Sequence, residues 1–304
     1  MLRPVLVALS RSEPARRLVA RPFVFRRVAR RFVAGETADA ALQVVAELNA
    51  RGLAATLDIL GEGTTAEADA QRAAIAYLDL LDAIGTRRLQ SHVSVKLSQL
   101  GLDLSAELAV RLLAQIVRRA AEVGTFVRVD MEDSRRLPGI LRVFDRVWEA
   151  GWHTVGVALQ AYLYRTPQDV ERYIARGVSI RLCKGAYAEP PQIAYPRKAD
   201  VDRAFAALAE RLLIAGRSPA LATHDERLIA GARQFAAAHG VPLQAYEFQL
   251  LYGIRRDLQD ALARAGHRVR VYVPFGTHWY PYVMRRMAER PANLWFVARN
   301  LLRP

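Results

Sequence analysis

The feature that most constrains the fold is a rhythm that starts after Gly35 and repeats eight times: a short β-branched run, a turn, and a helical segment rich in Ala, Leu and Arg. Strands that alternate with helices are joined by crossovers and therefore run parallel. Eight such units in about 270 residues is the content of an α/β protein with a (β/α)8 TIM-like barrel. The predicted strands cover residues 54–60, 91–97, 126–131, 155–160, 179–185, 220–225, 244–250 and 269–276.

The part of the chain before this rhythm forms a separate prediction. We expect a helical N-terminal arm over residues 1–35 and a catalytic barrel over residues 36–304. The arm contains the block ARRLVARPFVFRRVARRF, Ala15–Phe32, in which Arg alternates with Leu, Val and Phe. Such a basic amphipathic segment suits packing on its own domain, with contact to an anionic membrane surface as the alternative.

The net charge of +14 raises the alternative of a non-enzymatic module that binds anions or nucleic acid. Only three lysines, at 96, 184 and 198, stand against a large excess of Arg, which indicates a general composition bias. The sequence contains no RRM, KH or zinc-finger pattern, so we expect no nucleic-acid partner.

The remaining composition points to the cytoplasm. The single cysteine, Cys183, excludes an internal disulfide framework and suits a reducing compartment. No apolar run approaches the roughly 20 residues of a membrane-spanning helix, so we expect no transmembrane segment. The first residues lack the pattern of a secretion signal. Peripheral contact at the inner face of the membrane stays open.

One motif competes with the barrel. Residues Gly61–Ala66, GEGTTA, formally match the dinucleotide-binding pattern G-x-G-x-x-A. Glu62 inside such a loop would repel a pyrophosphate, and a doubly wound sheet does not need eight evenly spaced units. We therefore interpret this stretch as a simple chain reversal.

Polar residues mark the carboxyl ends of the predicted strands, where barrels place their catalytic groups. The opposite strand ends are expected to be mostly small or apolar. Arg181 and Lys184 should therefore face a shared ligand pocket, and a buried Arg181 requires a compensating partner. The polar strand ends are Lys96, Asp130, Glu132, Gln160, Arg181, Lys184, Thr223, His224, Asp225, Gln249 and Tyr272.

Several familiar catalytic patterns are missing from the sequence. Its six histidines are scattered, no metal-binding set appears, and we expect no metal. Neither a G-x-S-x-G elbow nor a Cys–His pairing is present. These absences leave an organic cofactor or a lysine Schiff base. A class I aldolase-type barrel that uses Lys184 or Lys96 is therefore the second enzymatic hypothesis.

An aromatic segment follows the last strand and leads into a basic helix. Arg285 and Arg286 are adjacent, about 100° apart around a helix, so both can reach one small anion over the barrel mouth. Glu289 lies three and four residues further on and can orient both guanidiniums. This position after strand eight is one where barrels often bind anions.

Together these stretches resemble proline dehydrogenase, in the short bacterial form that lacks a fused second enzyme. The resemblance covers the chain from about residue 31 to the C-terminus, and residues 1–30 are not diagnostic. Cys183 stands where an aliphatic residue is expected. The matching stretches are HVSVKLSQLGLDLS at 92–105, VRVDMEDS at 127–134, LQAYLYRT at 159–166, RLCKGAY at 181–187, ATHD at 222–225, EFQLLYGI at 247–254 and YVPFGTHWYPYVMRRMAERPAN at 272–293.

The resemblance implies oxidation of L-proline to Δ1-pyrroline-5-carboxylate, with hydride transfer from the substrate to non-covalent FAD. It also implies re-oxidation of the flavin by a membrane quinone, and a separate pyrroline-5-carboxylate dehydrogenase downstream. The catalytic residues that it implies are Asp130 and Arg181. The substrate-binding residues that it implies are Lys96, Leu251, Tyr272, Tyr282, Arg285 and Arg286.

The resemblance further assigns a set of flavin contacts. Arg181 would stabilise the negative charge that develops on the reduced ring. Lys184, Gly185 and Ala186 would meet the ribityl chain or the phosphates. The complete set of cofactor-binding residues that it implies is Met131, Gln160, Arg181, Lys184, Gly185, Ala186, Tyr187, Thr223, His224, Gln249 and Glu289.

Overall fold

The computed structural model describes residues 31–61 and 63–289 and, within the last helix, side chains as far as Met284. Most of the predicted arm, residues 1–30, lies outside the described residues, so its helical character stays a prediction. Glu62 of the GEGTTA stretch also lies outside them.

Eight parallel strands form a closed barrel in which neighbours follow chain order and β1 pairs with β8. The predicted (β/α)8 barrel is confirmed, and the doubly wound alternative is wrong because the sheet closes on itself. The strands are β1 (Ala54–Ile59), β2 (Ser91–Val95), β3 (Val127–Val129), β4 (Val155–Gln160), β5 (Ile180–Cys183), β6 (Ala220–Ala222), β7 (Glu247–Leu251) and β8 (Arg268–Phe275).

Helices connect the strands on the outside of the barrel, and within residues 33–61 one further helix precedes β1. They are α1 (Ala38–Ala50), α2 (Glu67–Thr86), α3 (Ala106–Glu122), α4 (Leu137–Glu149), α5 (Thr166–Ala175), α6 (Lys198–Ala215), α7 (Glu226–Ala238), α8 (Arg256–Arg264) and α9 (Trp279–Glu289). No helix within residues 31–61 and 63–289 is both long and apolar enough to span a bilayer.

Helix α3 shows how local sequence fixes these elements. Ser105 caps its first turn, since the side-chain oxygen accepts a hydrogen bond from the Leu108 backbone N–H at 3.3 Å. Leu108, Leu112 and Ile116 recur at fourth positions and are buried against the barrel. An apolar stripe at this spacing lies on one face of the helix, so its burial orients α3.

Alternation along the strands sorts side chains between the helices and the barrel interior. Leu57 and Val93 are fully buried in the apolar core. Thr56 and Asp58, the neighbours of Leu57 along β1, must then point inward, because successive side chains of a strand face opposite sides. The interior of this barrel is therefore polar, while its outer face packs on the helices.

Several strands are shorter than the sequence predicts. Strand β3 ends at Val129 and β6 at Ala222, because the polar residues that follow them already belong to the loops at the mouth. Strand β7 starts at Glu247, since a turn precedes it in which the Ala245 N–H donates to the Pro242 carbonyl at 2.9 Å. These shifts leave the predicted polar residues at the carboxyl end of the barrel.

Candidate active site

Three side chains from β5, β8 and the end of β3 meet across the barrel. Arg181 Nη1 donates to Asp130 Oδ1 at 2.6 Å, and the Tyr272 hydroxyl donates to Asp130 Oδ2 at 2.7 Å. The guanidinium of Arg181 lies 5.3 Å from the centre of the Tyr272 ring. These strands are not neighbours, so the contacts cross the interior. The compensating partner that a buried Arg181 requires is thus Asp130, which also accepts from the Tyr272 hydroxyl.

Ser94 and Gln249 hold the rest of the Arg181 guanidinium. Ser94 Oγ accepts from Arg181 Nη1 at 3.0 Å and donates to Asp130 Oδ1 at 2.8 Å. Gln249 Oε1 accepts from Arg181 Nε at 2.5 Å. A buried guanidinium has only donors to offer, so these acceptors fix its position. Sequence reasoning missed Ser94, which alternation with Lys96 on the same strand face would have indicated.

Lys96 is anchored by an aspartate that sequence reasoning also missed. Its ammonium donates to Asp58 Oδ1 at 2.6 Å, and the two side chains are only 11% and 2% exposed. Burial alone would lower the pKa of Lys96, but the carboxylates of Asp58 and Asp130 hold that pKa above its usual value. Lys96 is therefore a fixed cation, which opposes its use as a Schiff-base nucleophile.

Tyr272 keeps its proton in this environment. Burial, followed by the carboxylates of Asp130 and Asp58, raises the pKa of Tyr272 well above its ordinary value. The neutral phenol is therefore a permanent hydrogen-bond donor, and its ring faces the Arg181 guanidinium. We call the residues described so far the upper cluster, which consists of Asp58, Ser94, Lys96, Asp130, Arg181, Gln249 and Tyr272.

Lys184 lies apart from Arg181, on the rim of the barrel. Its ammonium donates to Asp202 Oδ1 at 2.5 Å and to Asp225 Oδ2 at 3.0 Å. Asp225 also caps α7, where it accepts from the Arg227 backbone N–H. The structure thus pairs Arg181 and Lys184 with different carboxylates and does not join them in one network.

Gln160 shows a feature that a ligand would explain, whereas the glycine at position 185 is required by the protein itself. Gln160 is buried at the end of β4, and its Oε1 atom has no hydrogen-bond partner in the described part of the chain. Gly185 has φ +119°, and a Cβ there would lie 2.3 Å from the Tyr162 ring, so only glycine fits. Met131 is buried on the neighbouring β3 loop.

Neighbouring candidates complete the rim. His224 Nε2 accepts from the Leu251 backbone N–H at 2.9 Å, which joins the loops that follow β6 and β7. Thr223 Oγ1 accepts from the Asp225 N–H at 3.1 Å. Glu132 accepts from the Ser98 N–H at 3.0 Å, and burial raises the pKa of its carboxyl group. Ala186 is exposed in the loop after β5.

Arg285 and Arg286, the residues predicted to bind a small anion over the barrel mouth and called the carboxylate clamp below, lie on the last helix. Tyr282 is buried there, within α9 and directly after β8. The side chains of Arg285, Arg286 and Glu289 lie outside the described residues, so their predicted roles stay predictions.

The expectation of mostly small or apolar residues at the amino-terminal strand ends is wrong for β3, β7 and β8. Arg270 Nε donates to Glu247 Oε1 at 2.9 Å, and its Nη1 donates to the Ala55 carbonyl at 2.7 Å. Arg128 donates to the Ser179 carbonyl at 2.5 Å and to the Ser179 hydroxyl at 3.0 Å. These charges point inward by alternation, a signal that the sequence already contained.

Gly156 makes room for one of these arginines. A Cβ at that position would lie 2.4 Å from Arg128 Nη1, so the side chain occupies space that any other residue would fill. We call His92, Arg128, Glu247 and Arg270 the lower cluster. A cavity of about 660 Å³ opens at this end of the barrel, opposite the upper cluster, and is lined partly by three of them: His92, Glu247 and Arg270.

The lower cluster contains a histidine, which the upper cluster does not. Burial, together with the charge of Arg270, lowers the pKa of His92 well below its ordinary value, so the imidazole is neutral. Among residues 31–61 and 63–289, no group of three or more His, Cys, Asp or Glu side chains is arranged to hold a metal ion.

Comparison with known proteins gives a consistent result. The family model described as proline dehydrogenase matches residues 41–299. Proline dehydrogenase 1 of Bacillus subtilis (strain 168) is 41% identical over 303 residues, and the match covers 100% of each chain. Proline dehydrogenase of Deinococcus radiodurans is 42% identical over 280 residues, covering 91% of this chain and 90% of the relative.

A solved structure shares the fold. Proline utilization A (PutA) from Bdellovibrio bacteriovorus, inactivated by N-propargylglycine, superposes with a TM-score of 0.81 at 29% identity. The match covers 87% of this chain and 33% of that protein, so the chain spans about one third of its length. The full-length identity to the Bacillus enzyme, with the shared barrel, places the protein among the flavin-dependent oxidoreductases of proline degradation. The chain belongs to the proline dehydrogenase family.

Proposed function

We propose that the protein oxidises L-proline to Δ1-pyrroline-5-carboxylate with non-covalent FAD as its flavin, and that the upper cluster is the catalytic centre. The observation that supports this most is the contact of Arg181, Asp130 and Tyr272 across the barrel in a chain of this family. A cation, a carboxylate and a neutral phenol at one mouth suit a small zwitterion and a redox ring.

The residues around strands β4 and β5 fit a flavin. The unpartnered Oε1 of buried Gln160 calls for a donor, which a flavin would supply. Gly185, which packs on the Tyr162 ring, would contribute its backbone. Arg181 is a preorganised positive charge, which would stabilise negative charge on the reduced ring. Met131, Lys184, Ala186, Tyr187, Thr223, His224, Gln249 and Glu289 would complete the binding site. A bound flavin would supply the hydride acceptor.

Different residues would bind the carboxylate and the apolar ring of the substrate. Lys96, held by Asp58, together with Arg285 and Arg286, would bind the proline carboxylate and fix which face of the ring meets the cofactor. Tyr272, Tyr282 and Leu251 would wall the apolar ring. Asp130 orients both Arg181 and Tyr272, so it would set the geometry of the site.

We further propose that a membrane quinone re-oxidises the flavin and that a separate dehydrogenase consumes the product. Residues 1–35 would form an arm outside the catalytic barrel of residues 36–304. The basic and aromatic block Ala15–Phe32 suits contact with an anionic membrane surface.

Three measurements on the purified protein test the proposal. Heat-released cofactor should have the mass of FAD, and anaerobic L-proline should bleach the oxidised flavin absorbance. A soluble quinone should then restore that absorbance. Release of a different flavin, or a flavin that L-proline leaves oxidised, would contradict the proposal.

The carboxylate clamp has its own test. Arg285→Met or Arg286→Met should lower kcat/KM for proline by roughly 30-fold to several thousand-fold, the range for truncating one partner of a buried charge pair. Pyrrolidine, which lacks the carboxylate, is the matched substrate and should be affected far less. Equal losses for both substrates would remove these residues from carboxylate binding.

A further inference from the structure

The carboxamide of Gln249 joins the two clusters. Its Oε1 accepts from Arg181 Nε at 2.5 Å, and its Nε2 donates to Glu247 Oε1 at 2.5 Å. Glu247 and Gln249 are two residues apart on β7, so both point into the barrel, one below the other. A carboxylate at the amino-terminal end therefore contacts, through one amide, the arginine of the candidate active site.

The neighbours of this amide allow only one orientation. A guanidinium only donates hydrogen bonds, and an ionised carboxylate only accepts them. If the amide were flipped, its NH₂ would face Arg181 Nε and its oxygen would face Glu247, so both contacts would be repulsive. Glu247 thus fixes which end of the Gln249 side chain Arg181 meets.

Glu247 is itself held firmly as an anion. Arg270 Nε donates to its Oε1 at 2.9 Å, and both side chains are buried. Burial would raise the pKa of Glu247, but Arg270 and the hydrogen bond from Gln249 outweigh it and lower that pKa to about 2. Arg270 is anchored in turn on the Ala55 carbonyl.

Donors and acceptors alternate without a break from this anchor to the mouth. Arg270 donates to Glu247, which also accepts from Gln249, and Gln249 accepts from Arg181. Arg181 donates to Asp130, whose other oxygen accepts from Tyr272. Loss of the lower acceptor would free the amide, and with it the Nε side of the Arg181 guanidinium.

We propose that Glu247 is a positioning residue for proline oxidation, which acts through the amide of Gln249 to hold Arg181 in place. The inference rests on the proposed role of Arg181 at the flavin. Glu247 contacts neither substrate nor cofactor in this account.

A double-mutant cycle on the flavin-loaded enzyme tests the proposal. Glu247→Gln keeps the shape but replaces the ionised acceptor of the Gln249 NH₂ group by a neutral amide oxygen, which holds that group more weakly. We expect kcat to fall by about tenfold, with a more negative flavin midpoint potential. In a Gln249→Leu background the same substitution should change kcat by less than about twofold, because the connecting amide is gone. Wild-type kcat and potential in Glu247→Gln, or an undiminished loss in the Gln249→Leu background, would overturn the proposal.

Chemical rescue provides a second readout. The cavity at the amino-terminal end reaches Glu247, so formate can enter opposite the substrate side. In Glu247→Ala, formate should raise kcat at saturating proline several-fold, whereas chloride at equal ionic strength should not. Absence of any formate effect would show that the missing carboxylate is not the cause of the loss, and would overturn the proposal.

These outcomes separate the inference from the proposed function. If Arg181→Met lowers the flavin potential while Glu247→Gln does not, the proposed role of Arg181 stands and the inference fails. If Arg181→Met leaves both potential and turnover unchanged, the proposed function of Arg181 fails first.

Discussion

The upper and lower clusters contain similar groups but use them differently. In the lower cluster, Arg128 and Arg270 donate to backbone carbonyls of the barrel itself, at Ser179 and Ala55. In the upper cluster, Arg181 donates to side chains only, and the neighbouring Gln160 Oε1 lacks a partner in the described chain. The lower cations are therefore anchored on backbone carbonyls, although Arg128 Nε has no partner among the described residues, whereas the upper ones surround the ligand site that we propose.

The largest expected effect comes from removing the central carboxylate of the upper cluster. Asp130→Asn leaves the buried Arg181 without an anion and should lower kcat/KM by roughly 30-fold to several thousand-fold. Steady-state kinetics with L-proline on the flavin-loaded variant measures this.

A matched carboxylate outside the barrel provides the control. Asp145 is buried and accepts from Arg176, Arg172 and the Tyr173 hydroxyl between helices α4 and α5. Asp145→Asn should destabilise the protein but leave the kinetics of the folded enzyme near wild type. Similar kinetic losses in both variants would mean that Asp130 acts through stability alone.

The next effect concerns acid stability and belongs to the lower cluster. The pKa of Glu247 is lowered to about 2 from 4.5, so its contribution is present above about pH 4.5 and is lost as the pH falls towards 2. A shift of this size corresponds to about 3 kcal/mol of unfolding free energy. In Glu247→Gln, the unfolding free energy should therefore fall less steeply than in wild type as the pH decreases between these values.

Urea unfolding from pH 7 down to pH 3 measures this limb. Glu67→Gln is the control, because Glu67 is an exposed carboxylate that pairs with Arg111 on the surface. If Glu247→Gln and wild type lose stability in parallel as the pH falls, the ionised Glu247 contributes nothing to the fold.

A smaller effect is expected for Tyr272→Phe. The ring stays beside Arg181, but the hydrogen bond to Asp130 is lost, and a bond to a charged group contributes roughly 1.5–3 kcal/mol. We expect kcat/KM to fall by about 10- to 100-fold. Tyr246→Phe is the control, since its buried hydroxyl has no partner in the described chain and lies outside the upper cluster. Equal losses in both variants would contradict a specific role for the Tyr272 hydroxyl.

The barrel was predictable because its signal is local and repeated. Each β-branched run predicts a strand, and each amphipathic segment predicts a helix. Eight strand–helix units in chain order are compatible with few topologies. The polar strand ends were predictable for the same reason, since the fold places carboxyl ends at one mouth. The limits of the strands were less predictable, because β3 ends at Val129 although its apolar pattern runs to Met131.

The pairings inside the barrel were only partly predictable. The need for an anion near Arg181 follows from burial, but its contact with Gln249 joins residues 68 positions apart and depends on barrel closure. Asp58 and Glu247 were not among the predicted site residues, although alternation along their strands marks both as inward. The separation of Lys184 from Arg181 reflects carboxylates on α6 and before α7, which no strand pattern reveals.

The central claim is that the upper cluster performs the chemistry and that the lower cluster, apart from the positioning role proposed for Glu247, stabilises the barrel. Single-turnover flavin reduction by L-proline in Arg181→Met and Arg128→Met, two buried arginines of the same interior, tests it most directly. We expect Arg181→Met to slow reduction by about 100- to 1,000-fold, the range for removing one preorganised donor, and flavin-loaded Arg128→Met to slow it by less than about fivefold. Equal slowing in the two variants, or wild-type reduction in Arg181→Met, would contradict the account.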